Sequence, residues 1–190
     1  MKKTIILFVA IVAIASLAPA QAKYFGGANV ELYMPSGNFA DQAGIGFGGT
    51  AVFGKPINEN ISSYVKVGYI MWGAKKYDLG TYKWEYTWHL IPVKVGGKYY
   101  FGAGNMKPYG VLEVGYSVLG AKVKSEYLNP WTNTTITAEA TASESRIGFA
   151  PGVGMEYKMG EKMALDAQVR YELISDFNNI GIQVGLKFDI

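Results

Sequence analysis

The stretch LDAQVRYEL at residues 165–173 decides the fold, because apolar and polar residues alternate along its whole length. The last nine residues, IQVGLKFDI at 182–190, repeat the alternation. A period of two places successive side chains on opposite faces of a β-strand. The apolar face of such a strand packs against either a protein core or lipid, and the polar face meets either water or a polar interior.

The first residues of the chain favour the membrane alternative. The chain begins MKK, continues with an almost unbroken apolar run at 5–17 and then carries AQA at 20–22. A basic start, a short apolar stretch and a small-x-small site are typical of a cleaved secretory signal peptide. The apolar run is shorter than the roughly 20 residues that span a bilayer. We therefore expect residues 1–22 to be a signal peptide and residues 23–190 to form one domain.

The composition favours a β-sheet with a crowded interior. The chain contains 24 Gly, 14 Tyr, 9 Phe and 4 Trp but no Cys. Aromatic residues favour strands, and glycine in a strand permits close approach of other groups. Removing the two lysines of the signal peptide lowers the formal net charge from +3 to +1, so the charge does not suggest a nucleic-acid partner. With one His and no Cys, we expect neither a metal site nor a cofactor.

Turn residues divide the chain into extended segments whose number and spacing indicate a barrel. The connections after the second, fourth and sixth segments are short, whereas the connection at 122–145 is the longest. Bacterial outer-membrane barrels have an even number of strands, short periplasmic turns and longer extracellular loops. The sequence therefore predicts an all-β, eight-stranded antiparallel up-and-down transmembrane β-barrel. The eight predicted strands are 24–34, 45–55, 61–73, 86–101, 108–122, 146–159, 163–174 and 180–190.

Charged residues on the polar faces of these strands predict a network inside the barrel. An eight-stranded barrel encloses a lumen just wide enough to be filled by side chains. Charge buried there must be paired, because an isolated charge is costly to remove from water. Six acids and seven bases are expected to point inward, which is close to neutral. This lumen charge network comprises Glu31, Lys66, Lys94, Lys98, Glu113, Arg146, Glu156, Lys158, Asp166, Arg170, Glu172, Lys187 and Asp189.

Aromatic residues near the predicted strand ends suggest the belts that flank the lipid-facing band of a membrane barrel. The candidates for these belts are Tyr24, Trp72, Trp88, Tyr99, Tyr100, Tyr109, Tyr157 and Tyr171.

The chain contains a single histidine, which is a candidate for acid–base catalysis. His89 and the apolar Ile91 lie two positions apart on the same predicted strand, so their side chains share one face of it. His89 is therefore expected to face lipid or to lie at the upper rim. A serine-hydrolase site requires a nucleophile and an acid within reach of the histidine. Ser125, Ser143 and Ser145 lie in or near the long loop, and nothing in the sequence places them beside His89. We therefore expect no catalytic residues, with a lipid A-modifying enzyme as the less favoured alternative.

The segment at 122–145 is the predicted contact with the cell exterior. Its Thr-rich half, 132–141, alternates enough to extend the fifth and sixth strands above the membrane. A protruding sheet with an open edge can bind other proteins by strand addition. A surface loop without a partner is the alternative, because such loops vary freely.

Five short pieces carry a family resemblance: MPSGNF at 34–39, GKYYF at 97–101, KPYG at 107–110, APGVG at 150–154 and SDFNNIG at 175–181. Together they resemble the outer-membrane protein β-barrel domain family, the small OmpX/OmpW-like barrels of Gram-negative bacteria. The resemblance covers the whole mature chain and implies an integral protein of the cell outer membrane. It further implies contact with outer-membrane lipid, lipopolysaccharide and the barrel assembly machinery. Many such proteins end on an aromatic residue, whereas this chain ends on Ile190, with Phe188 two residues before it.

We therefore expect a non-enzymatic outer-membrane barrel with a structural or surface-interaction role, a charge-filled lumen and no cofactor. The alternative is a small porin-like channel for hydrophobic or ionic solutes.

Overall fold

The computed structural model describes residues 23–78, 80–129, 131–132 and 134–190. The predicted signal peptide, residues 1–22, lies outside the described residues. Each strand pairs antiparallel with the next, and β1 pairs with β8, so that the sheet closes into a barrel. The strands are β1 (Phe25–Pro35), β2 (Gly46–Pro56), β3 (Ile61–Asp78), β4 (Tyr82–Tyr100), β5 (Met106–Asn129), β6 (Thr134–Lys158), β7 (Met163–Ile174) and β8 (Asn179–Asp189). The predicted fold class is confirmed.

The barrel has two distinct ends. The turns after β2, β4 and β6 lie together with the described chain termini at one end, which we call the turn end. The opposite end, which we call the loop end, carries the β1–β2 connection with a short 3₁₀ helix, Gly37–Asp41. Over the described part of the chain, no helix is long and apolar enough to cross a membrane.

Four strands are longer at the loop end than the sequence predicted. The prediction of a loop at 122–145 is wrong. Residues 119–129 of β5 pair with residues 134–144 of β6 in unbroken register. The predicted extension of both strands by the Thr-rich half is what the structure shows. The physical reason is that alternating Thr, Ala and Glu residues satisfy their backbone groups across the hairpin. β3 and β4 likewise continue to Asp78 and back from Tyr82.

The two faces of the sheet separate by polarity, as the alternation predicted. Apolar residues such as Val30 and Val153 are 67% and 64% exposed on the outer surface. Charged residues such as Glu31 and Arg170 are buried inside. This polarity is the reverse of that of a water-soluble sheet, and it is the arrangement that a hydrocarbon environment requires.

The aromatic belt prediction is only partly correct. Tyr24, Tyr99, Tyr157 and Tyr171 lie on the outer surface, where Tyr24 stacks on Phe53 with ring centroids 5.6 Å apart. The structure instead places Trp72, Trp88, Tyr100 and Tyr109 inside the barrel, packed in its apolar clusters. Along their strands these four residues occupy positions that alternate with the outward-facing ones, so their side chains point inward. This alternation, and not the distance from the strand end, decides whether a side chain faces the lumen or the lipid.

Glycines on the inner wall make room for these large inward rings. A Cβ added to Gly96 would lie 2.3 Å from Cζ of Tyr64, and one added to Gly154 would lie 2.4 Å from Cζ of Tyr109. Each tyrosine therefore lies flat across a glycine of another strand. This arrangement explains why a barrel of only eight strands can hold both rings and ion pairs.

Candidate functional site

Six charged side chains form a compact cluster in the half of the lumen nearer the loop end. We call them the upper cluster; they are Glu31, Lys66, Lys94, Glu113, Arg170 and Glu172, three acids and three bases, with side chains at most 1% exposed. β1, β3, β4, β5 and β7 contribute them. Charge balance within this cluster is what makes its burial tolerable.

Arg170 lies at the centre of the upper cluster. Its guanidinium donates to Glu31 and, at 2.6 Å, to Glu172, and Nε lies 3.5 Å from Glu113. Its Nη2 also donates to the hydroxyl of Tyr33 at 2.8 Å. One planar side chain therefore connects three carboxylates from three strands, as the fixed fork of arginine donors permits.

The two lysines of the upper cluster complete its pairing. Lys66 donates to Glu113 and, at 2.8 Å, to Gln183. Lys94 donates to Glu172, while the hydroxyl of Tyr64 donates to Glu113 at 2.6 Å. Oε1 of Glu113 therefore accepts from both Lys66 and Tyr64, whereas its Oε2 has no hydrogen-bond partner among the described residues and lies 3.5 Å from Arg170 Nε and 3.7 Å from Lys94 Nζ.

A second group, which we call the lower cluster, fills the lumen toward the turn end. It consists of Lys98, Glu156, Asp166 and Lys187. Lys98 bridges Glu156 and Asp166 at 2.8 Å each, and Lys187 also pairs with Glu156. With the upper cluster, the described interior holds five acids and five bases, so the filled lumen is formally neutral.

The structure places three of the predicted network residues elsewhere. Arg146 lies at the loop end, where it pairs with Glu144 at 2.8 Å and approaches Asp176 at 3.5 Å. Lys158 and Asp189 are exposed at the turn end. All three occupy inward-facing positions of their strands. They lie at the two ends of the barrel, where the strands extend past the closed part of the lumen.

Neutral residues of the interior were missed by a search for charge. Gln183 joins the two clusters, since its side chain accepts from Lys66 and donates to Asp166 at 3.3 Å. Tyr109 donates to Asp166, and Tyr100 donates to Glu156 at 2.7 Å. The alternation along their strands places these residues at inward-facing positions, and this signal in the sequence could have identified them. Among the described residues, no group of His, Asp and Glu could hold a metal ion.

An aromatic cluster closes the lumen at the loop end. Phe39, from the 3₁₀ helix of the β1–β2 connection, packs edge-on against Trp72, Trp88 and Phe177, with ring centroids 5.4, 5.7 and 5.1 Å away. Tyr33 lies beneath it and connects this cluster to Arg170. The interior thus passes from ion pairs to packed apolar rings at the loop end.

The turn end is more open. A cavity of about 180 Å³ lies there, lined by side chains that include Ser62, Tyr100, Lys107, Glu156 and Lys187. Its inner boundary is the Lys187–Glu156 pair of the lower cluster. The cavity is therefore a vestibule that ends at the filled lumen.

His89 lies on the outer wall of the barrel, as its parity predicted. Its ring stacks on Tyr69 with centroids 5.9 Å apart and lies over Gly120, where an added Cβ would be 2.2 Å from the imidazole. Ser125 is five register positions further along β5 than Gly120, which is about 16 Å along the strand. Ser143, in contrast, pairs with Gly120 in register, so it lies in the same cross-strand row as His89 on the outer face, two strands and about 10 Å away. The structure thus aligns one of the predicted serines with His89 and separates Ser125 from it.

Above the loop end, the longer strands form a four-stranded sheet, which we call the protruding sheet. It consists of the extensions of β3 (73–78), β4 (82–90), β5 (119–129) and β6 (134–147). β7 pairs with β6 only up to the level of Gly148 opposite Ile174. Residues 134–147 of β6 therefore pair with β5 on one side and with no described strand on the other.

The outer face of the protruding sheet is charged. Lys122 pairs with Glu139 at 2.9 Å, and Lys83 pairs with Asp78 at 2.8 Å, where the ammonium hydrogen bond lowers the pKa of the Asp78 carboxyl. Further down β5 the same face carries the apolar Val114, which is 51% exposed. The change from apolar to charged residues along one strand marks the edge of the hydrocarbon region.

Comparison with known proteins agrees with this geometry. The family model "Outer membrane protein beta-barrel domain" matches residues 6–189. An uncharacterised protein of Haemophilus influenzae is 29% identical over 93 residues, which is 48% of this chain and 48% of that protein.

Solved structures of small barrels resemble the fold. Neisserial surface protein A has 16% identity and a TM-score of 0.55, covering 87% of this chain and 96% of its own. Ail of Yersinia pestis, solved with the heparin analogue sucrose octasulfate, has 10% identity and a TM-score of 0.52, covering 89% and 99%. A major outer membrane protein of Thermus thermophilus has 14% identity and a TM-score of 0.54, covering 90% and 100%. With the family match, these findings show that the chain belongs to the outer membrane protein β-barrel domain family and is a protein of the outer membrane.

Proposed function

We propose that this protein is a non-enzymatic surface-display barrel, which holds the protruding sheet outside the cell and binds extended polypeptides by strand addition to β6. One observation carries the proposal: residues 134–147 of β6 form a long strand edge without a described neighbour on one side. Every second residue of such an edge presents its N–H and C=O outward. Main-chain hydrogen bonds to an added strand then supply affinity.

The filled lumen supports an anchoring role over transport. The ion pairs of the upper and lower clusters run across the barrel, and the aromatic cluster closes its loop end. The interior of an eight-stranded barrel is just wide enough to be filled by such side chains. In this proposal the lumen charge network is structural and fixes the platform from which the sheet extends.

The orientation follows from the lengths of the connections. The turns after β2, β4 and β6 are short, and the long hairpins lie at the other end. In outer-membrane barrels the short turns are periplasmic. The protruding sheet would then face the exterior, with lipopolysaccharide around its base and the turn-end vestibule open to the periplasm.

The orientation can be tested directly because the chain has no cysteine. A Thr137→Cys variant is expected to react with a membrane-impermeant maleimide on intact cells. The matched Glu161→Cys variant, in the turn after β6, is expected to react only after the outer membrane is permeabilised. The reverse labelling pattern would overturn the proposed orientation.

Strand addition can be tested with a hairpin truncation. Replacing residues 120–143 by Asn-Gly joins β5 to β6 at a paired position, Leu119 opposite Glu144, so that the β6 edge is removed up to residue 143 and the buried Leu119 is kept. The probe is a fluorescent nine-residue peptide of alternating Val and Thr, flanked by Lys, added to protein in lipid nanodiscs. We expect the intact protein to bind this peptide and the truncated protein to lose at least 90% of the binding. Trp131→Ala, at the exposed hairpin tip, is the matched control and should bind as the intact protein does. Equal binding by the intact and truncated proteins would refute strand addition on the protruding sheet.

A further inference from the structure

The two edges of the protruding sheet differ in how they are protected. The β3 edge contains a register shift between Trp72 and Lys75. Bulges are devices that prevent strands from pairing at an edge. The β6 edge at 134–147 has unbroken register and contains no Lys or Pro, and its charged residues Glu139, Glu144 and Arg146 are all in ion pairs. Only the β6 edge is therefore left available for pairing.

On the inner face of the protruding sheet, the side chains become smaller from β4 toward the β6 edge. Aromatic residues follow one another along β4, and small residues lie opposite them on β5 and then on β6. Three cross-strand rows show the same order from β4 to β6: Trp84, Ser125 and Ala138; Tyr86, Val123 and Ala140; Trp88, Ala121 and Ala142. Each row thus begins with a large ring and ends with an alanine at the edge.

A fourth row closes the top of this surface. Tyr82, Tyr127 and Ile136 lie opposite one another, and the rings of Tyr82 and Tyr127 have centroids 4.8 Å apart. The surface is therefore a notch, with walls on β4 and at the top, a floor of small residues and an opening at the β6 edge. We use the term notch for the floor residues Ala121, Val123, Ser125, Ala138, Ala140 and Ala142 with these two walls.

We propose that the notch selects the partner strand, taking a polypeptide that carries a large apolar side chain at every second residue. The inference rests on the proposed strand addition. Neighbouring strands lie about 4.8 Å apart, so a strand added to β6 lies roughly 10 Å from β5. Side chains of the size of Phe or Leu reach across the alanines of β6 and pack on the floor. Alanine-sized side chains leave the floor exposed to water.

Charge complementarity sets the other positions of the partner. Glu139 pairs with Lys122, and Glu144 pairs with Arg146, so the edge has no unpaired described charge. The residues of the partner that alternate with the large apolar ones therefore lie beside Thr137, Thr141 and Ser143 on the outer face. Uncharged hydroxyl residues match this surface, since they neither repel nor require a counter-ion.

A second copy of this chain is a poorer occupant of the notch. Antiparallel pairing of two β6 edges would bring alanines of one copy opposite alanines of the other, which leaves the floor unfilled. Antiparallel pairing would also reverse the direction of the second barrel, which two copies in one membrane do not allow. The proposed occupant is therefore a different, extended polypeptide with alternating large apolar and hydroxyl residues.

The experiment compares two nine-residue peptides on the full protein in lipid nanodiscs. One peptide alternates Phe and Thr, the other alternates Ala and Thr, and both are flanked by Lys and read by fluorescence anisotropy. We expect the Phe peptide to bind at least tenfold more tightly. In an Ala140→Leu variant, which fills the floor, we expect the preference to fall to about twofold or less. Thr141→Val, on the opposite face of the same strand, is the matched control and should keep the full preference.

The outcomes separate the two proposals. If both peptides bind equally to the intact protein and neither binds the truncated hairpin, strand addition stands and selection by the notch is overturned. If neither these peptides nor the Val/Thr peptide bind, strand addition itself fails, and selection by the notch falls with it. Sedimentation that shows a dimer, lost in the Ala140→Leu variant and unaffected by peptide, would assign the notch to a second copy and overturn the inference.

Discussion

Replacing the arginine at the centre of the upper cluster tests whether the lumen charge network stabilises the barrel. Arg170→Met removes the guanidinium that contacts Glu31, Glu113 and Glu172. Three acids then share two bases, Lys66 and Lys94. Breaking a buried ion pair on one side typically costs about 3–5 kcal/mol. Because the two lysines remain, we expect a loss at the lower end, about 3 kcal/mol, which is roughly a hundredfold in the ratio of folded to unfolded protein.

Urea titration in phospholipid vesicles measures this loss, with the folded fraction read from unheated gel mobility. For slopes of about 1–3 kcal/mol per molar, the midpoint should fall by about 1–3 M urea. Adding Glu172→Gln restores a balance of two acids and two bases, so the double variant should be more stable than the sum of the single effects predicts. Arg146→Met is the matched control, because its side chain is 29% exposed and outside the network, and it should change stability by about 0.5 kcal/mol or less. An Arg170→Met barrel as stable as the Arg146→Met barrel would refute the structural role of the network.

Three further predictions address packing, conduction and catalysis. Gly96→Ala places a Cβ against the ring of Tyr64 and should destabilise the barrel by about 1–3 kcal/mol in the same urea assay. The matched Gly160→Ala, where no atom lies within 4 Å of the added Cβ, should change stability far less, and equal losses would contradict the packing argument. In planar bilayers the intact protein should show no conductance step, and Phe39→Gly should also stay closed because the ion pairs below still fill the lumen; reproducible steps from the intact protein would contradict this. His89→Ala should leave the lipid A profile of expressing cells unchanged, and a loss of modified lipid A would instead indicate catalysis.

Much of the site was predictable because parity is a local property. Glu113, Arg170 and Glu172 were predicted to point inward from the alternation of their own strands, and they are buried in the lumen. Parity does not report how far a residue lies along the barrel, so Arg146, Lys158 and Asp189 were included although they lie at the mouths. The prediction considered only charged residues at inward-facing positions, so it missed the neutral Gln183, which joins the two ionic clusters.

The sequence alone determined the number of strands, their alternation and the side on which each residue lies, because a period of two and the turn residues act over a few neighbouring positions. The tertiary structure alone decided which charges pair, as in Arg170 with Glu31, which are 139 residues apart. The end of β7 at Ile174 was predicted from the sequence, and the structure adds that its pairing with β6 stops at Gly148. The charge pairs depend on the closure of the barrel between strands distant in the chain, which no local pattern of residues specifies.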